Sequence, residues 1–115
     1  MEPKELAKSA AQILSSKKAA DIRILEVTDL TVLADYFVIA TGTSSTHLKT
    51  LADEVEFVLK KQDVPPRHIE GKGGGSWLLL DYGAVVVHVL LQEAREFYSI
   101  ERLWSDAKQY NEDEL

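Results

Sequence analysis

Residues 76–91 hold two apolar segments joined by a short turn, and this pair constrains the fold more than any other stretch. Residues 76–80 and 84–91 have the length and the residue types of β-strands, and the three residues between them are typical of a tight connection. An isolated hairpin buries too little apolar surface to offset the entropy that it loses on ordering. The rest of the chain must therefore supply further strands and a covering helix.

The first forty residues supply a helix and two strands. A helix is predicted over about residues 4–18, because apolar residues recur at three- and four-residue spacing after Pro3. Residues 21–27 place apolar side chains on both sides, which predicts a strand covered on at least one face. Residues 36–41 are almost continuously apolar or β-branched. This run predicts a central strand that is buried on both faces.

A second helix should follow the segment GTSST at residues 42–46. Ser44 or Ser45 is expected to cap its first amides, as small hydroxyl side chains do at helix starts. The helix must end before Pro65, because proline cannot continue it. Residues 67–70 could then form a short edge strand.

The order of these elements predicts a single α/β domain. One crossover helix between strands makes part of the sheet parallel, whereas the tight turn at residues 81–83 makes the last two strands antiparallel. We expect a mixed sheet of about five strands with helices mainly on one face. An aromatic-rich helical run follows over residues 93–107. The glycine-rich loop 71–75 is expected to be flexible, and residues 108–115 are expected to be an acidic tail.

Charge and composition narrow the class of partner. The chain has 13 basic and 19 acidic residues and a formal charge of −6, so direct binding to nucleic acid is not expected. The same negative field favours docking on a basic protein. The sequence has no cysteine, no signal-peptide pattern and no apolar run near the roughly 20 residues of a membrane span, which predicts a cytoplasmic protein without a membrane partner.

Two features could carry chemistry, and each has a simpler interpretation. GTSS at residues 42–45 is similar in placement to the glycine-serine element of the nucleotidyltransferase fold, but it lacks the lysine of a P-loop. That fold pairs the element with two or three carboxylates, and here Asp81 stands alone, which favours a helix cap. His88 is expected to be hydrogen-bonded rather than catalytic, and the three histidines lack zinc-site spacing. No catalytic residue, cofactor or metal site is predicted.

The aromatic residues point to an interface. Trp77, Leu79 and Asp81 should share one face of their strand, and Leu78 and Leu80 the other. If helices cover only one face, one of these sets lies near water unless something docks there. Five large apolar residues then follow within eight positions, too many for a short helix to bury: Phe97, Tyr98, Ile100, Leu103 and Trp104. Phe97, Ile100 and Trp104 could each close the core instead, but the set together favours a protein contact.

Four segments of the sequence resemble one family. They are DYFVIATGTSSTHLKTLADEV at residues 35–55, EG at 70–71, WLLLDYGAVVVHVL at 77–90 and EAREFYSIERLWSDA at 93–107. In this order they resemble the ribosome-silencing factor family, also called Iojap. The resemblance runs over about residues 6–107, and a family domain over residues 1–107 is therefore expected.

The resemblance implies a small homodimeric α/β protein of nucleotidyltransferase-like topology. Members of the family bind the fourteenth protein of the large ribosomal subunit and block joining of the small subunit, which represses translation chiefly when nutrients are short. The action is steric and needs no turnover. Carried onto this sequence, the docking surface comprises Trp77, Leu79, Asp81, Tyr82, Tyr98, Glu101, Arg102 and Trp104.

Within this surface, Asp81 and Glu101 are expected to pair with basic groups of the partner, and Tyr82 is expected to project from its turn. The dimer contact is expected at the first helix and residues 22–27. Two other functions stay open. One is a nucleotidyltransferase-like, nucleotide-binding enzyme that uses GTSS and Asp81, and the other is a scaffold dimer for a different complex.

Overall fold

A six-stranded mixed sheet organises the computed structural model, which describes residues 1–73 and 75–115. In chain order the elements are α1 (Pro3–Ser16), β1 (Ala20–Glu26), β2 (Tyr36–Gly42), α2 (Ser45–Lys61), β3 (His68–Glu70), β4 (Trp77–Asp81), β5 (Val85–Leu91), α3 (Gln92–Tyr98), α4 (Ile100–Leu103) and β6 (Lys108–Tyr110). Gly74, in the loop expected to be flexible, lies outside the described residues.

The strands lie in the order β3-β4-β5-β2-β1-β6. β2 and β5 are parallel, with Tyr36 opposite Val85 and Gly42 opposite Leu91. β4 and β5 form an antiparallel hairpin, and β3 pairs antiparallel with β4 at one edge of the sheet. The predicted mixture of parallel and antiparallel pairs, and the short edge strand, are confirmed.

The sheet has one strand more than the expected five. β6 lies inside the segment that was expected to be a tail, and it pairs antiparallel with β1, with Ile24 opposite Tyr110. The Tyr110 hydroxyl donates a hydrogen bond to Glu26 Oε1 at 3.0 Å. Because the strand is three residues long and mostly polar, its sequence shows no period that could have predicted it.

The two long helices, α1 and α2, pack on one face of the sheet. Their buried side chains are Leu6, Ala7, Ala10, Ala11 and Leu14 of α1 and Leu48, Leu51, Ala52, Val55 and Leu59 of α2. Ser44 caps α2 as predicted, its Oγ accepting a hydrogen bond from the His47 amide at 3.1 Å. Gly42 precedes the cap where β2 approaches the helix, and a Cβ there would lie 2.7 Å from Leu48 Cδ2. Glycine therefore permits the close packing of strand and helix.

The short helices α3 and α4 cover the opposite face in part. A second core cluster there contains Leu25, Val27, Ala34, Ile39, Leu90, Ala94, Ile100 and Ala107. The side chains of Phe37, Trp77, Val86 and Trp104 pack against this cluster but are only partly buried. This face of the sheet is thus closed beneath α3 and α4 and remains half open beside them.

Candidate functional site

The alternation of β4 places three predicted docking residues on the half-open face. Trp77, Leu79 and Asp81 are each partly exposed, whereas Leu78 and Leu80 are buried beneath the long helices. Successive side chains of a strand point to opposite faces, so this division was expected and is confirmed.

Aromatic rings link β4 to the helices that follow the hairpin. The ring centroids of Trp77 and Tyr98 are 4.7 Å apart, and those of Phe37 and Trp104 are 5.3 Å apart. His88 lies between the two pairs, 5.7 Å from Trp77 and 5.2 Å from Phe37. Rings at these distances and tilted angles attract one another beyond their simple burial. The cluster therefore fixes the orientation of both tryptophans.

Large apolar side chains extend this cluster into solvent. Phe97 is 81% exposed, Leu103 is 77% exposed and Tyr98 is 47% exposed. Phe97 packs against Tyr98 with ring centroids 5.0 Å apart. We define the aromatic face as Trp77, Leu79, Phe97, Tyr98, Leu103 and Trp104, of which Trp77, Tyr98 and Phe97 are in successive ring contact. Contiguous exposed apolar groups of this kind are typical of a protein-binding surface.

His88 supports Trp77 from beneath. The Trp77 Nε1–H donates a hydrogen bond to His88 Nδ1 at 3.1 Å, which confirms that the ring is hydrogen-bonded. Burial lowers the pKa of His88 to about 4, so the ring is neutral near pH 7. Since Nδ1 accepts a hydrogen bond, the ring proton is on Nε2, a buried atom that has no hydrogen-bond partner in the described part of the chain. This geometry assigns His88 a supporting role behind the aromatic face.

Tyr82 does not project from its turn, and this prediction was wrong. The side chain is only 8% exposed and belongs to the core beneath the long helices. It continues the inward alternation of Leu78 and Leu80, one position beyond the strand. Burial and, to a lesser degree, the nearby Glu56 carboxylate raise the pKa of the Tyr82 phenol. Tyr82 therefore cannot meet a partner without unfolding part of the core.

Glu101 is also unsuited to the role predicted for it, because its carboxylate is held within the chain. Arg95 Nε donates to Glu101 Oε1 at 3.1 Å, and Arg95 Nη2 donates to Oε2 at 2.9 Å. Asp81 uses one oxygen in its own turn, accepting a hydrogen bond from the Gly83 amide at 2.7 Å. Asp81 is partly exposed and Arg102 is exposed. These two remain candidates for charged contacts at the rim.

Within the aromatic-rich run, Phe97 and Leu103 are exposed residues that the expected docking set omitted. Phe97 was considered a candidate for closing the core, but α3 turns Ala94 and Arg95 inward and leaves Phe97 outside. Charged side chains seldom face inward, so hydrophobic periodicity could not predict that Arg95 would be buried and Phe97 exposed. Of the same set, Ile100 closes the core and Trp104 is half-buried.

The two parts of the alternative nucleotide site lie at opposite ends of the sheet. GTSS begins at Gly42, the last residue of β2, whereas Asp81 pairs with Val86, which lies opposite Phe37 near the start of β2. At about 3.3 Å per residue, the two are separated by roughly 15 Å or more along the strands. Within residues 1–73 and 75–115, no group of three or more His, Asp or Glu side chains is placed to hold a metal ion. GTSS and Asp81 therefore do not form one site.

The two segments expected to form the dimer contact are already packed within the chain. β1 lies between β2 and β6, and Ile22, Ile24, Leu25 and Val27 are all buried within the chain. α1 turns its apolar side chains onto the sheet. The apolar side chains of these elements therefore pack largely within the chain, and a dimer contact at this place stays a prediction.

Comparison with known proteins identifies the family. A family model described as "Ribosomal silencing factor during starvation" matches residues 1–115. The chain belongs to the ribosomal silencing factor family. It is similar to Ribosomal silencing factor RsfS of Chromobacterium violaceum, with 41% identity over 94% of this chain and 88% of that protein. For the protein of the same name from Bacillus subtilis the identity is 35%, over 93% of this chain and 91% of that protein.

Solved structures share the fold of this ribosomal silencing factor family member. A crystal structure of a Chromobacterium violaceum protein matches with a TM-score of 0.88 and 41% identity over 91% of this chain and 88% of that chain. A Bacillus halodurans crystal structure matches with a TM-score of 0.79 and 32% identity over 88% of this chain and 94% of that chain. Both confirm the α/β architecture. In the described residues, no helix has the length and apolar character needed to cross a membrane.

Proposed function

We propose that this protein represses translation by docking on the large ribosomal subunit and sterically blocking the small subunit from joining. The partner on the large subunit is its fourteenth protein, and the repression operates in the cytoplasm mainly when nutrients are limiting. The aromatic face carries this proposal, because it combines the exposed Phe97, Tyr98 and Leu103 with the partly exposed Trp77 and Trp104. The names of the bacterial relatives support a ribosomal role.

We infer a contact that differs in part from the docking set implied by the resemblance. Its centre comprises the six residues of the aromatic face. Asp81 and Arg102 lie at its rim, and Tyr82 and Glu101 no longer belong to it, since one is buried and the other is paired internally. Exposed aromatic anchors ringed by polar groups are the usual composition of an energetically dominant contact.

The charge of the chain favours a basic partner. Glu93 and Glu96 lie exposed on α3, close to the aromatic face, and the whole chain carries a formal charge of −6. Such a field accelerates encounter with a cationic surface and weakens as salt screens it. The action needs no turnover, because occupying the subunit interface is enough to block it.

Titration onto the purified fourteenth protein of the large subunit tests this function. We expect saturable binding that weakens as sodium chloride is raised, and an Asp81→Lys variant that binds less tightly with a smaller salt dependence. Binding of equal strength by the wild type and by a Trp77→Ala, Trp104→Ala double variant would contradict the proposed surface. We also propose that the free protein is a homodimer, which sedimentation equilibrium would measure directly.

A further inference from the structure

Arg95 carries a buried charge on the face of the sheet that α3 and α4 cover. It is 5% exposed, and among the described residues it is the one Lys, Arg, Asp or Glu that is buried. Its guanidinium donates two hydrogen bonds to Glu101, and Nη1 donates a third to Thr41 Oγ1 at 2.9 Å. Arg95 Nη2 also lies 3.7 Å from Asp21 Oδ2. One side chain thus connects α3 to α4, to the end of β2 and to the start of β1.

The bidentate pair spans a sharp corner in the chain. Arg95 lies on α3 and Glu101 on α4, and between them Ser99 adopts a left-handed conformation with φ 48° and ψ 52°. The Ser99 hydroxyl donates to the Glu96 carbonyl at 2.7 Å, and its amide donates to the Arg95 carbonyl at 3.0 Å. Helices of seven and four residues have little stability of their own, so contacts of this kind must hold the angle between them.

The aromatic face is divided by the same corner. Phe97 and Tyr98 precede Ser99, whereas Leu103 and Trp104 follow it. A partner that contacts both pairs requires a fixed distance between them. The angle between α3 and α4 determines that distance, and the Arg95 fork restrains the angle.

Stability alone does not account for such a residue. A buried ion pair gains little net free energy over apolar residues of similar volume, because the charges must leave water. A planar guanidinium that donates hydrogen bonds to several fixed partners does, however, fix how those partners are arranged. We propose that Arg95 is a positioning residue. It holds the angle between α3 and α4 and so keeps Phe97 and Tyr98 at the distance from Leu103 and Trp104 that docking requires. The docking part of this inference rests on the proposed function.

The corner itself is tested without any partner. Arg95→Lys keeps the charge but cannot form the fork, and Arg95→Met with Glu101→Gln removes both charges together. Both variants should raise amide hydrogen exchange in residues 99–104 by about tenfold or more, with exchange in α2 unchanged. Unchanged exchange across residues 99–104 in both variants would overturn the inference.

The spacing of the two residue pairs is tested by titrating the protein with isolated large ribosomal subunits. Leu103→Ala should weaken binding in the wild-type background and weaken it far less in the Arg95→Lys background, because α4 is then already misplaced. Trp77→Ala should weaken binding equally in both backgrounds, since Trp77 is held by His88 on the sheet. Equal effects of Leu103→Ala in both backgrounds would refute a positioning role. Failure of the wild type to bind would instead refute the proposed function, and the exchange data would still decide the role of Arg95 at the corner.

Discussion

Replacing Phe97 by alanine separates docking from folding. Phe97 is 81% exposed, so folding buries little of its ring and the substitution should change the free energy of unfolding by less than about 0.5 kcal/mol. If docking buries the ring, its loss should cost about 2 kcal/mol of binding free energy, because a fully buried phenylalanine contributes roughly that amount. This loss corresponds to an approximately 30-fold higher Kd for the large ribosomal subunit.

A matched control comes from the opposite side of the sheet. Phe57 on α2 is 56% exposed, and its ring lies beneath the Lys61 ammonium at 4.5 Å. Phe57→Ala removes the same atoms and should leave binding to the large subunit unchanged. Urea unfolding of both variants, with titration of the large subunit, would give the two free energies. Equal Kd values for Phe97→Ala and the wild type, or equal weakening by Phe57→Ala, would refute the assignment of the aromatic face.

Two further predictions concern buried polar groups. Burial lowers the pKa of His88 to about 4 in the folded chain, whereas it is about 6.5 in the unfolded chain. Titration of His88 therefore leaves the free energy of unfolding unchanged above pH 6.5 and lowers it as the pH falls from 6.5 to 4. Between pH 7 and pH 4, the free energy of unfolding measured in urea should fall by about 3 kcal/mol more in the wild type than in His88→Gln. Identical pH profiles for the two proteins would contradict this prediction. Tyr82→Phe should leave the thermal midpoint unchanged or slightly raised, because the buried Tyr82 hydroxyl has no partner among the described residues; a fall of several degrees would show that it is satisfied.

Local patterns in the sequence predicted most of the elements and much of their pairing, but not β6 or the break at Ser99 in the helical run expected over residues 93–107. The alternation along β4 placed Trp77 and Leu79 on one face, and the turn at Gly83 made the hairpin antiparallel. Ser44 followed the rule for helix caps. These features depend on residues near one another in the chain, and the sequence shows them directly.

Features that depend on distant residues could not be predicted in the same way. Glu101 was assigned to a partner because nothing nearby indicated that Arg95 would turn inward and meet Thr41, which is 54 residues away in sequence. The separation between GTSS and Asp81 follows from strand order, since β4 runs opposite to β2 across β5. Tyr82 was expected to project because it was read as part of a turn, although the inward alternation of the strand continues through it.

Sedimentation of the protein with purified ribosomal subunits tests the central claim most directly. The protein would be mixed with large subunits, small subunits would then be added, and the mixture would be separated on a gradient. The proposed function predicts that the wild type travels with the large subunit and that joined ribosomes are lost, whereas Phe97→Ala requires a higher concentration for the same effect. A protein that stays at the top of the gradient, with subunit joining unaffected, would contradict it.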